Sequence, residues 1–75
     1  SLCEDKAGRI WIAGGLGIYY FDKATSLFHT VYKASLLHPG YCVNVRCDNR
    51  GDIWFTNRWT LFRYETKTGK LAAFP

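Results

Sequence analysis

The chain is short, rich in aromatic residues and mildly basic, and these properties exclude several classes of protein. It has 75 residues, of which 17% are aromatic, with no Met and a formal net charge of +4. A chain of this length buries only about 60% of the surface that its unfolded form exposes, so a lone core would be marginal. No window reaches the roughly 18 uncharged apolar residues of a membrane span, and the amino end lacks the pattern of a signal peptide.

Eight short strands are predicted in chain order. Each apolar segment is brief, none keeps a 3.6-residue period long enough for a helix, and turn residues separate the segments. Aromatic and β-branched residues also favour sheet. The predicted strands lie near 1–4, 9–13, 17–22, 27–32, 43–47, 52–56, 60–64 and 70–74.

An internal repeat organises these strands. When the sequence is aligned with itself at an offset of 43 residues, the acidic turn residue, the turn glycine and one tryptophan of each unit coincide. The aligned pairs are Asp5 with Asp48, Gly8 with Gly51, and Trp11 with Trp54.

We predict structural roles for all six repeated residues. An Asp at the start of a turn accepts hydrogen bonds from backbone N–H groups, and a Gly suits a position that needs a positive φ. A ligand contact would not need to recur at the same depth in each unit, so the tryptophans are expected to pack between units. The aspartates are therefore interpreted as turn caps and not as catalytic acids or bases.

Four short antiparallel strands in about 43 residues, with a Trp in the second strand, are typical of a propeller blade. In "RIWIA" and "DIWFT" both faces of the strand are apolar, which suits a sheet covered on each side by a sister sheet. We predict an all-β fold of two four-stranded antiparallel blades, a fragment of a larger β-propeller. The expected units are a blade over 1–32, a connector over 33–42 and a blade over 43–75.

The stretch "CEDKAGRIWIAGGLGIYYFDKATSLF" resembles the two-component regulator propeller repeat. That pattern places an Asp and a Gly before an apolar-Trp-apolar triplet, then Gly-Leu, aromatic or apolar positions and an Asp. The second unit departs from it, because "NRWTL" stands where the Gly-Leu stretch belongs. The matching residues are Asp5, Gly8, Ile10, Trp11, Ile12, Gly15, Leu16, Tyr20 and Asp22 in the first unit, and Asp48, Gly51, Ile53, Trp54, Phe55 and Tyr64 in the second.

The resemblance implies a place in the periplasmic sensor region of a hybrid two-component regulator of the Bacteroidetes type, an inner-membrane protein. It implies signal transduction in response to a carbohydrate, with histidine kinase activity in another domain. The absence of Met and a first residue inside the repeat lead us to expect a piece of a longer chain.

Connections between strands should alternate between the two ends of the sheets. The short-turn end, at 5–8, 22–26, 48–52 and 65–69, has similar turns in both units. The long-connection end, at 13–16, 33–42 and 56–59, differs between units, and binding tends to be placed on such irregular loops. Trp, Arg and Asn suit a sugar or an anionic small ligand. The candidate ligand-binding residues are Asn57, Arg58, Trp59, His38 and Tyr41, and a purely structural role is the alternative for Arg58, Trp59 and Tyr41.

No catalytic, metal or cofactor site is predicted. No nucleophile has an attendant base, and "AGGLG" enters a strand instead of opening a helix. Cys42 lies five residues before Cys47 without a zinc-type spacing, and Cys3 stands alone. The thiols are interpreted as ordinary buried or partly buried groups, with a Cys42–Cys47 disulfide as the alternative.

The repeat thus favours a non-catalytic scaffold, and the resemblance implies that this scaffold contributes to a carbohydrate-sensing surface. Expected partners are neighbouring blades, an oligosaccharide and, in the isolated chain, further copies of itself, with no nucleic acid or membrane contact by this segment. Two alternatives stay open. One is a secreted propeller enzyme, a lyase or glycoside-active protein, with catalytic residues in other blades, and the other is a protein-binding propeller.

Overall fold

The computed structural model describes residues 1–33, 40–58 and 60–74, and these ranges contain strands but no helix. No helix long and apolar enough to cross a membrane occurs in the described part of the chain. The strands begin and end close to their predicted bounds. In chain order they are β1 (Leu2–Glu4), β2 (Arg9–Gly14), β3 (Gly17–Asp22), β4 (Leu27–Lys33), β5 (Cys42–Cys47), β6 (Asp52–Asn57), β7 (Thr60–Glu65) and β8 (Lys70–Phe74).

The strands form two four-stranded sheets of identical topology. The first sheet has the order β1-β2-β3-β4 and the second the order β5-β6-β7-β8, and every pairing is antiparallel. Each strand therefore pairs with its neighbour in sequence, in an up-and-down arrangement. The predicted all-β fold of two antiparallel four-stranded sheets is confirmed.

The 43-residue repeat also sets the register of the strands. Trp11 lies opposite Cys3 in the first sheet, and Trp54 lies opposite Arg46 in the second. Since Cys3 and Arg46 are themselves 43 residues apart, the two tryptophans occupy equivalent places in sister sheets. The sequence alignment is thus a structural alignment as well.

The two sheets pack face to face, and the core lies between them. The Trp11 ring is 5.7 Å from the Tyr64 ring, and Tyr32 lies 5.2 Å from Phe55 and 4.8 Å from Phe62, measured between ring centroids. Aromatic pairs at such separations stabilise a core beyond the area they bury. The buried core residues are Trp11, Ile18, Tyr32, Cys42, Val45, Ile53, Phe55 and Phe62.

Side chains alternate along a strand, so each sheet has a second face, which residues 1–33, 40–58 and 60–74 leave open. We call the open face of the first sheet the leading face; among its residues are Leu2, Glu4, Ile10, Ile12, Phe21 and Phe28. We call the open face of the second sheet the trailing face; among its residues are Arg46, Trp54, Thr56, Leu61, Arg63 and Phe74.

The cysteine interpretation is corrected by the structure. Cys3 and Cys47 form a disulfide that joins β1 to β5, with their Cα atoms 6.0 Å apart, and Cys42 is a buried free thiol. A Cys42–Cys47 disulfide is excluded because the two residues lie at opposite ends of β5. At about 3.3 Å per residue they are roughly 16 Å apart, beyond the reach of a disulfide.

Candidate functional site

Hydrogen bonds between the sheets show which connections lie together. At the short-turn end, Lys6 Nζ donates to the Asn49 carbonyl oxygen at 2.8 Å. At the long-connection end, the backbone N–H of Cys42 donates to the Gly15 carbonyl oxygen at 2.8 Å. The predicted division of the connections between two ends is therefore present in these loops.

Asp5 organises the first short turn and also holds the buried tryptophan. One carboxylate oxygen accepts the backbone N–H groups of Ala7 and Arg9, both at 3.0 Å, while the other accepts the indole Nε1–H of Trp11 at 2.7 Å. The Arg9 Nε–H donates to that second oxygen at 2.9 Å. The side chain of Asp5 is only 2% exposed, so its charge is balanced by bonds within the protein.

Asp48 repeats this arrangement in the second sheet. It accepts the backbone N–H groups of Arg50 and Asp52, both at 2.9 Å, and the indole Nε1–H of Trp54 at 2.8 Å. Gly8 and Gly51 have φ values of 82° and 88°, which side-chain-bearing residues rarely adopt. Each aspartate thus accepts the backbone N–H groups of its own turn, and the six-residue spacing from Asp to Trp is the sequence signal for the indole bond.

The acceptor role lowers the pKa of both aspartates. Burial alone would raise the pKa of Asp5, but the Trp11 indole, the Arg9 amide and charge and the Ala7 amide outweigh it and hold this pKa below its ordinary value. For Asp48 the indole bond from Trp54 is the largest influence and lowers the pKa against a weaker effect of desolvation. Folding therefore stabilises the ionised form of each carboxyl group relative to its protonated form.

Acid is expected to destabilise the fold through these two groups. Their folded pKa is depressed, so their contribution is complete above the unfolded pKa near 3.9 and is lost as the pH falls through the folded value. The free energy of unfolding should thus decline below about pH 4. Urea titrations across this range should show a shallower decline for Asp5→Asn than for the unsubstituted chain, and equal slopes would contradict the assignment.

At the long-connection end, two of the predicted ligand-binding residues line one groove. This groove has a volume of about 420 Å³, and Tyr41 and Arg58 lie on it together with Gly40, Val43 and Thr56. Tyr41 is 68% exposed, so its ring face is accessible to a ligand. The groove therefore offers an aromatic surface beside a guanidinium group.

The remaining three candidate residues lie elsewhere or outside the described chain. Asn57 is 2% exposed, and its Nδ2 donates to the Tyr32 hydroxyl at 2.8 Å across the junction between the sheets. This position gives Asn57 a packing role beneath the groove. His38 and Trp59 fall outside the described residues, and their roles stay predictions.

Arg58 has a positive φ at a position where the first sheet has a glycine. Its φ is 54°, while Gly15, the residue 43 positions earlier, has a φ of 56°. In two-residue hairpin connections the first central position often has a positive φ and therefore favours glycine. Arg58 thus holds the φ that glycine has at the equivalent position, at a conformational cost of roughly 1–2 kcal/mol.

The short-turn end carries a second groove, with a volume of about 540 Å³, between the turns of the two sheets. Lys6, Arg9, Arg50 and Lys67 line it, so part of the positive net charge is gathered there. Two of these cations are already engaged, Lys6 with Asn49 and Arg9 with Asp5. Among residues 1–33, 40–58 and 60–74, no three His, Cys, Asp or Glu side chains are placed to hold a metal ion.

The up-and-down four-stranded sheets, stacked face to face in a fixed 43-residue repeat, define this chain as two blades of the β-propeller class. The comparison with protein families agrees with that class. Residues 1–15 match the family described as two component regulator propeller. This is a repeat of scaffold type, and the matched segment contains Asp5, Gly8 and Trp11. No curated protein and no solved structure matches the chain.

Proposed function

We propose that the chain is a non-catalytic propeller segment in the periplasmic sensor region of a bacterial hybrid two-component regulator. In this role the groove beside Tyr41 and Arg58 forms part of a carbohydrate-sensing surface. The family match over residues 1–15 supports the regulator context. The disulfide between Cys3 and Cys47 suits an oxidising compartment such as the periplasm.

The observation that carries the ligand surface is the backbone of Arg58. Strained conformations of non-glycine residues cluster at functional sites, where the surrounding structure holds them in place. At Arg58 the strain is avoidable, since glycine has nearly the same φ at the equivalent position, Gly15. The guanidinium of Arg58 can make a contact that glycine cannot make, and this contact is proposed to be with the ligand.

The chemistry of the groove points to an acidic oligosaccharide. An aromatic ring stacks on the apolar face of a sugar, and a guanidinium donates a forked pair of hydrogen bonds to a carboxylate or sulfate. Tyr41 and Arg58 supply these two groups on the same groove. The ligand class is therefore a sugar chain that carries negative charge.

The test replaces Arg58 with glycine. We expect Arg58→Gly to leave the free energy of unfolding unchanged or to raise it by up to about 1 kcal/mol, because the backbone strain is relieved. We expect the same variant to weaken the binding of a hexameric oligogalacturonate at least tenfold, since a charge-assisted hydrogen bond contributes about 1.5–3 kcal/mol. Calorimetric titration and urea unfolding measure the two effects.

Ser26→Gly is the matched control for this substitution. Ser26 has a φ of 58° and its sister residue is Gly69, so the control relieves the same kind of strain at the short-turn end. It should stabilise the chain without changing oligogalacturonate binding. Equal loss of binding in both variants, or equal binding of oligogalacturonate and neutral cellohexaose, would contradict the proposed surface. Binding of a protein instead of either sugar would support the protein-binding alternative.

A further inference from the structure

The junction between the two sheets can be described by which positions of one sheet meet which positions of the other. Trp11 of the first sheet contacts Tyr64 of the second at 5.7 Å between ring centroids. Cys3 of β1 is bonded to Cys47 of β5. These two contacts fix how the second sheet is placed on the first.

The repeat shows which residues would meet if the same junction formed again. On the trailing face, Arg46 and Trp54 occupy the places that Cys3 and Trp11 occupy in the first sheet. On the leading face, Glu4 and Phe21 occupy the places that Cys47 and Tyr64 occupy in the second sheet. The two open faces are thus sister surfaces of the two faces that already pack together.

We propose that a second copy of this chain binds head to tail through these faces and reproduces the inner junction. In the bound pair, Arg46 of one copy lies against Glu4 of the next, at the positions that the disulfide occupies within the chain. Trp54 of the first copy packs on Phe21 of the second. The inference does not depend on the sensor role, because it rests only on the repeat and on the residues of the open faces.

Charge complementarity favours a second copy as the occupant. A cation and an anion stand at positions that are in direct contact in the inner junction, one on each open face. The Glu4 carboxylate contacts Lys23 Nζ at 2.8 Å, yet its side chain is 54% exposed and remains accessible to Arg46. Opposite charges at Arg46 and Glu4, the positions equivalent to the two disulfide cysteines, are expected if the two faces bind each other.

Apolar area on both faces supplies the driving force. Leu2 and Phe28 on the leading face are 67% and 68% exposed, and Leu61 and Phe74 on the trailing face are 39% and 47% exposed. Contiguous exposed apolar residues of this kind mark association surfaces. A head-to-tail contact is heterologous, so it repeats from copy to copy and gives a ring if the rotation closes or a filament if it does not.

The first test is cross-linking between two different single variants. Glu4→Cys and Arg46→Cys are each made with Cys42→Ala, which removes the free thiol, and are mixed and oxidised. The mixture should give covalent dimers on a non-reducing gel that neither variant gives alone, since the 6.0 Å Cα separation of Cys3 and Cys47 should recur between copies. Equal dimer yields from the mixture and from either variant alone would overturn the head-to-tail register.

The second test needs no new cysteine. Arg46→Glu should raise the apparent dissociation constant for self-association at least tenfold in sedimentation experiments, because two carboxylates then meet. Adding Glu4→Arg to the same chain should restore association, whereas Lys67→Glu, an equal charge change in a turn, should leave it unchanged. Failure of the double variant to recover, while its circular dichroism stays native, would overturn the proposed Arg46–Glu4 contact.

Discussion

Trp11→Ala is expected to lower the free energy of unfolding by about 3–5 kcal/mol, the range for a buried large aromatic side chain. The indole is completely buried, with its ring 4.9 Å from Tyr20 and 5.7 Å from Tyr64. Truncation would leave a cavity between the sheets and remove a buried hydrogen-bond donor from Asp5. Urea unfolding followed by circular dichroism measures the loss.

Trp54→Ala is the matched control, because Trp54 has the same place and the same indole bond in the second sheet. The sequence alone predicts equal losses for both tryptophans. In the structure Trp54 is only partly buried, since it lies on the trailing face beside Phe74. In dilute solution its loss should be clearly smaller, and equal losses would contradict the difference between the covered and the open face.

Removing the disulfide is expected to have an effect of similar size. The bond joins residues 44 positions apart, and closing a loop of this length stabilises a folded chain by about 4 kcal/mol in the chain-entropy model. Adding dithiothreitol should lower the urea midpoint by a corresponding amount. The Cys3→Ala/Cys47→Ala chain should start at the lower midpoint and be unaffected by the reductant.

An unchanged midpoint on reduction of the unsubstituted chain would show that Cys3 and Cys47 are not joined. A double variant that keeps the midpoint of the oxidised unsubstituted chain would likewise show that this pair forms no stabilising bond. Either result would exclude a disulfide between Cys3 on β1 and Cys47 on β5.

The sheets could be predicted from the sequence because their signals are local. Turn residues such as the "DKAG" and "DNRGD" segments mark the hairpins, and alternation of apolar residues defines the strands between them. The segment predicted at 17–22 is observed as Gly17–Asp22, for example. The 43-residue offset predicts in addition that the two sheets are equivalent. The pattern of a single strand cannot show this.

The disulfide could not be predicted because it depends on how one sheet is placed on the other. Cys3 and Cys47 are far apart in sequence and are not at equivalent positions of the repeat. Only the packing of β1 beside β5 brings them together. Sequence spacing therefore suggested only Cys42 and Cys47 as the alternative to free thiols, and β5 keeps these two residues apart.

The irregular connections led to candidate residues at the long-connection end, and Tyr41 and Arg58 share a groove there. The binding role of this end stays a prediction. The burial of Asn57 was not visible in the sequence, because it depends on Tyr32 from the other sheet. The sequence alone did not predict the positive φ of Arg58, because an arginine in place of glycine suggests a different turn. The structure shows that Arg58 has nearly the same φ as Gly15.

The most direct test of the central claim is a nuclear Overhauser measurement on the chain in dilute solution. The claim is that the two repeats form sister sheets stacked face to face, with Trp11 enclosed between them. We expect cross-peaks between the Trp11 and Tyr64 rings and between the Tyr32 and Phe62 rings, together with matching cross-strand contacts at Trp11–Tyr20 and Trp54–Arg63. Tryptophans in non-equivalent strand pairs, or a Trp11 ring without contacts to the second sheet, would contradict the account.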